Sequence, residues 1–148
     1  MVPPVTFSRF WLTAILPLSF ALPMLLNAVW ERRLVNRFTD SPEITAQQFG
    51  FPLPAVMDYC CASVTAHFFV LPFLLNWLFH ALVLTLLAWR FWPRLRNEQR
   101  RIIRGVSWLM LLPTLFLNGL TFMLSVRSWV SPYPVLETIS IRPHFGLW

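Results

Sequence analysis

At 148 residues, with 57% hydrophobic and only 12% charged side chains, the chain carries about half the charge share of an ordinary soluble domain. Its formal charge of +6 comes from twelve arginines against six carboxylates, with no lysine, and its mean hydropathy is +0.59. A soluble helical bundle would show polar stripes that the apolar runs lack, and no folded basic domain accompanies the positive charge, which argues against a nucleic-acid partner.

Three stretches contain no Asp, Glu, Lys or Arg: Phe10–Trp30, Tyr59–Trp89 and Gly105–Val126. A hydrocarbon core about 30 Å thick takes roughly 20 helical residues. The sequence therefore predicts an all-α integral membrane protein with three transmembrane helices, a short outer-loop helix and an irregular or short-strand C-terminal tail. Residues 1–148 form one membrane domain in this reading, with spans at about 10–30, 62–89 and 105–126. Trp11 and Trp30, Tyr59 and Trp89, and Trp108 and Trp129 bracket the three spans. Rings that are apolar in body and polar at one edge favour the headgroup boundary.

Taken in chain order, the first apolar run of 21 residues exceeds the core of a cleaved signal, and Leu26-Asn27-Ala28 is a poor cleavage site. An uncleaved anchor entering from the cytoplasm is expected. The outer loop, 31–58, sets Arg32, Arg33 and Arg37 against Glu31, Asp40, Glu43 and Asp58. Within it, Asp40-Ser41-Pro42-Glu43 has the form of a helix start and Gly50 that of its stop. Phe51-Pro52-Leu53-Pro54 follows as an extended apolar segment, suited to the membrane interface or to a partner. The second span, Ala62–Trp89, counts 28 residues and must tilt, project, or kink at Pro72.

The loop 90–104 packs Arg90, Arg94, Arg96, Arg100, Arg101 and Arg104 against Glu98 alone. Cationic loops beside membrane helices stay in the cytoplasm, which predicts the N-terminus inside and the C-terminus outside. Arg94, Arg96, Arg100 and Arg101 are candidates for contact with anionic lipid headgroups. Exclusive use of arginine points to a GC-rich bacterial genome, and the expected location is the bacterial inner (plasma) membrane. In the outer tail, 127–148, a turn at Ser131-Pro132-Tyr133-Pro134 precedes a β-prone stretch, Val135–Ile141, which needs a pairing partner to be stable.

Polar residues inside the spans are the places to look for chemistry. Asn76, His80, Thr114 and Asn118 fall at similar depths in the second and third spans, and are expected to form a polar seam that holds the two helices together. The functional counterpart is a proton-relay or ligand role for His80, since ionisable groups at that depth are costly. His67 and His80 are thirteen residues apart on one predicted helix and His144 lies in the tail, so no helical metal-ligand spacing arises. Cys60 and Cys61 are adjacent and suit packing better than a mutual disulfide. Phosphate loops, nucleophile elbows and HExxH motifs are missing, and no cofactor is expected. The sequence thus points to a non-enzymatic accessory subunit of a membrane complex, contacting lipids and either another membrane protein or a second copy. An immunity protein against a pore-forming toxin and a small enzyme or carrier using the seam are the alternatives.

Overall fold

The computed structural model of the protein describes residues 6–35, 43–58, 66–129, 131 and 135–145. Thr6 caps the first helix by accepting from the amide of Arg9. That helix runs through α1 (Phe7–Phe10), one widened π-helical stretch (Trp11–Ile15) and α2 (Leu16–Leu25). Thr13 donates to the carbonyl of Arg9 within it, at 2.6 Å. Pro23, which brings no amide to the helical ladder, sits two residues before its end. The chain then enters a sheet: β1 (Leu26–Val35), β2 (Glu43–Phe49), β3 (Val56–Asp58) and β4 (His67–Phe69). Helix α3 (Val70–Phe91) follows β4 directly, and a 3-10 turn (Trp92–Arg94) leads to α4 (Asn97–Leu124). Strands β5 (Val126–Ser128) and β6 (Val135–Phe145) complete the fold.

The six strands form one sheet in the order β5-β4-β3-β2-β1-β6, antiparallel throughout except for the parallel β4–β5 pair. All three helical segments join the sheet at the same end, through Leu25, Val70 and Leu124. The opposite end holds the turn between α3 and α4, where Trp92 meets the rings of Phe7 at 5.1 Å and Phe10 at 5.4 Å. Two backbone bonds extend the joins around this sheet edge: the Leu71 amide of α3 donates to the Trp129 carbonyl just after β5, and the Val126 amide of β5 to that of Ala66 just before β4. The first of these satisfies an amide that the helix start would leave orphaned.

The all-α expectation is therefore corrected: this is a mixed helix-and-sheet protein. The apolar run 10–30 stops being helical at Leu25, and its last residues open β1 instead. Hydrophobic length alone does not separate a helix from a buried strand. In place of the expected helix after Asp40, Glu43–Phe49 is a strand with Thr45 and Gln47 exposed and Ala46 and Gln48 buried, the two-residue period of a half-covered sheet. Helix α3 begins only at Val70, so Pro72 lies in its first turn, where the missing amide costs nothing, and is no central kink. In the tail, the strand extends over Val135–Phe145 and pairs with β1 along most of its length.

Two helices, Val70–Arg94 and Asn97–Leu124, are long and apolar enough to cross a membrane by length and composition. Only 17% and 12% of their apolar windows are buried, whereas the core helix of a soluble protein is mostly covered. Their packing is inside-out. Ala14, Ser19, Ala21, Ala81, Ser107 and Thr114 are at most 8% exposed, while Leu82, Leu109, Leu112, Phe116 and Met123 are 60–78% exposed. Small residues at the contacts let the helix backbones approach closely. The N-terminal helix is the wedge of the bundle: α2 packs against both α3 and α4. Trp11 donates to Thr85 at 2.9 Å and Trp77 to the buried Ser19 at 3.0 Å. In the sheet, Leu34, Ala46, Met57 and Phe69 form a separate core cluster.

Candidate functional site

Among the described residues, the β2–β3 connection carries the most specific polar geometry. Gly50 ends β2 with φ +147°, and a Cβ there would lie 2.1 Å from the Leu53 carbonyl oxygen, so only glycine fits the turn. Trp30 donates to the Gly50 carbonyl at 2.8 Å, and the Ala55 amide donates to that of Phe49 at 2.7 Å, closing the loop at its base. Between them, Phe51-Pro52-Leu53-Pro54 runs against α3. The two prolines have no amide hydrogens, so few donors need partners there.

Asn76 supplies those partners. Its Nδ2 donates to the Leu53 carbonyl at 2.6 Å and its Oδ1 accepts from the Leu53 amide at 2.9 Å. A carboxamide offers the donor and the acceptor on two separate atoms, so both bonds form at once. Asn76 is 1% exposed and lies six residues into α3, roughly 9 Å along its axis. One turn further, His80 Nδ1 donates to the Asn76 carbonyl at 2.7 Å. The ring of Phe51 lies over this turn, with centroids 6.0 Å from Phe79 and 6.4 Å from His80. The irregular backbone of a sheet loop is thus clasped alongside the first half of an apolar helix.

Of the expected seam, Asn76 and His80 are brought together, but toward Leu53 and Phe51. Thr114 donates within its own helix, to Met110 at 2.8 Å and Leu111 at 2.9 Å. Asn118 lies on α4, with its side chain outside the described residues, as are Cys60, Cys61 and the side chain of His144. His67 sits on β4 opposite Met57 and Val126, and burial pushes its pKa below the ordinary value. Among the described residues no three His, Cys, Asp or Glu side chains gather as a metal site would require.

The arginine-rich end divides by role. Arg100 lies 3.7 Å over the Trp92 ring and donates to the Trp92 carbonyl at 2.9 Å and to Asn97 at 3.3 Å, locking the α3–α4 turn. Gln99 accepts from the Arg96 amide at the start of α4. The side chains of Arg94, Arg96 and Arg101 are exposed.

At the other end, β6 is an edge strand of 11 residues. Its inner side pairs with β1, tied by Ser140 donating to Glu31 at 3.1 Å and by Arg33 facing Glu137 at 3.8 Å. Leu136, Ile139 and Ile141 are 46–55% exposed along it. Register shifts near Ile139 and Leu136 mark bulges in the β1–β6 pair.

The loop clasp and the free edge both escaped the sequence reading. The paired prolines after Gly50 were the available signal for the first, since they describe a segment with few donors to satisfy. The edge has no local signal, because strand order is decided by long-range pairing. No family model matches this chain, and no curated protein and no solved structure is similar to it.

Proposed function

We propose that this protein is a non-enzymatic accessory subunit of a bacterial inner-membrane complex, anchored by its helices and binding a partner protein through β6. The observation that carries the reading is the place of this long strand at the edge of the sheet, with no strand on its outer side among the described residues and apolar side chains exposed along it. An unpaired edge of this length is a template for strand addition by another chain. The inside-out packing of the helices supports the anchoring. Six arginines lie at the end of the bundle opposite the sheet, which supports a cytoplasmic turn and a periplasmic sheet.

The test is native mass measurement of the tagged protein extracted gently from its own membrane. The reading expects a species heavier than the monomer, containing a second polypeptide that also carries periplasmic residues. Replacing Ile139 and Ile141 with lysine changes two exposed positions, and is expected to release the monomer without loss of folding. A monomer in the wild type, or an unchanged complex in the double variant, overturns the proposal. A complex made solely of second copies replaces it with self-association.

A further inference from the structure

Where the bundle meets the sheet, an apolar groove of about 330 Å³ opens between α3 and α4. Its walls include Phe20 from α2, Phe68 from β4, Phe73 from α3, and Leu115, Gly119 and Phe122 from α4. The four rings form a connected row: Phe20 meets Phe73 at 5.7 Å, Phe73 meets Phe68 at 5.1 Å, and Phe68 meets Phe122 at 5.5 Å. On the α4 side, Leu115, Gly119 and Phe122 follow helical spacing, so one face of the helix lines the wall. A Cβ at Gly119 would meet nothing within 4 Å, and the glycine widens the groove without serving any tight contact.

One cation stands at the sheet end of this groove. Arg127 of β5 is the register partner of Phe68, and its guanidinium carbon lies 4.8 Å from the Phe122 ring centroid. Both of those rings line the groove. Arg127 is exposed, and no carboxylate pairs with it among the described residues. We infer that the groove is a binding site for one anionic phospholipid, which lays part of an acyl chain along the phenylalanine row and sets its phosphate against Arg127. The inference rests on the membrane reading of α3 and α4. The volume suits a stretch of acyl chain and not a folded segment of protein. The guanidinium fork matches phosphate oxygens in pairs. An arginine at the boundary between hydrocarbon and headgroups keeps its stem on apolar surface and its charge in the polar layer. Charge complementarity therefore selects an anionic headgroup, and the apolar walls select the chain.

The experiment uses the full chain in nanodiscs holding equal amounts of phosphatidylglycerol and phosphatidylcholine, and counts the lipids that stay bound on release in native mass spectrometry. The wild type is expected to retain one phosphatidylglycerol in at least fivefold preference to phosphatidylcholine. Arg127→Gln removes the preference while leaving chain binding in place. Gly119→Leu fills the groove and reduces retention of both lipids at least fivefold. Arg142→Gln, an arginine on the far edge of the sheet, leaves retention at the wild-type level. Melting temperatures within a few degrees of wild type show that the variants fold. Equal retention of the two lipids by the wild type, or undiminished preference in Arg127→Gln, overturns the inference while the membrane reading stands. A chain that fails to enter nanodiscs and stays in the soluble fraction overturns the membrane reading itself.

Discussion

The clasp between Asn76 and Leu53 makes a quantitative prediction. Replacing Asn76 with leucine keeps side-chain size and apolar packing but removes one donor and one acceptor. The Leu53 amide, held at 2.9 Å, and its carbonyl, held at 2.6 Å, are then left without their protein partner. A buried group orphaned in this way costs about 1–3 kcal/mol. The loop's own close contacts, Ala55 to Phe49 and Trp30 to Gly50, remain and limit how far it opens. The expected local loss is therefore about 2–4 kcal/mol for the pair of groups. At about 1.4 kcal/mol per tenfold change, the open population of the loop rises roughly 30- to 700-fold.

Hydrogen–deuterium exchange of the segment around Leu53, in lipid, reads that population directly. Few other amides contribute there, because Pro52 and Pro54 have none. Asn76→Asp is the informative companion: it keeps an acceptor for the Leu53 amide but loses the donor to the carbonyl and adds a charge on an apolar helix. Its exchange should be at least as fast as that of Asn76→Leu. An unchanged rate in Asn76→Leu would refute the reasoning, since it would mean that water or the loop itself satisfies Leu53. A loss of only about 0.6 kcal/mol, the average for hydrogen bonds inside membrane bundles, would point the same way.

Three further outcomes follow from the same geometry. Gly50→Ala places a Cβ against the Leu53 carbonyl in a backbone conformation with φ +147°, and should cost about 2 kcal/mol or more in a thermal or denaturant melt. Arg100→Gln removes the stack on Trp92 and the bond to its carbonyl, for a loss of about 1–2 kcal/mol, while the exposed Arg101→Gln should change the melt by less than about 0.5 kcal/mol. The His67 pKa is lowered by burial from 6.5, so the folded state prefers the neutral ring and the unfolded chain takes up the proton first. Its contribution is complete above about pH 6.5 and is lost as the pH falls toward the lower folded value. Between pH 7 and 5 the wild-type melting temperature should therefore fall more than that of His67→Gln.

Composition and charge placement determined the apolar helices and the arginine-rich turn, because long uncharged runs are local properties of the chain. The core of α3 and the whole of Gly105–Leu124 were legible from them. Helix ends were not. Leu26–Trp30 is as apolar as the residues before it, yet Pro23 weakens the helix there, and pairing with Phe49 and Arg142 through Val29 draws the segment into the sheet. The same holds for Glu43–Phe49, whose helix-like start is overridden by neighbours on both sides, β1 and β3. Asn76 and His80 were legible as polar residues that needed partners. Which partners they take was a tertiary decision: the loop that supplies Leu53 lies 23 residues away in the chain, and reaches Asn76 only because the sheet folds it back onto α3. Strand order, the open edge of β6 and the groove beneath Arg127 share that origin, since each depends on segments that meet only once the sheet has closed over the end of the bundle.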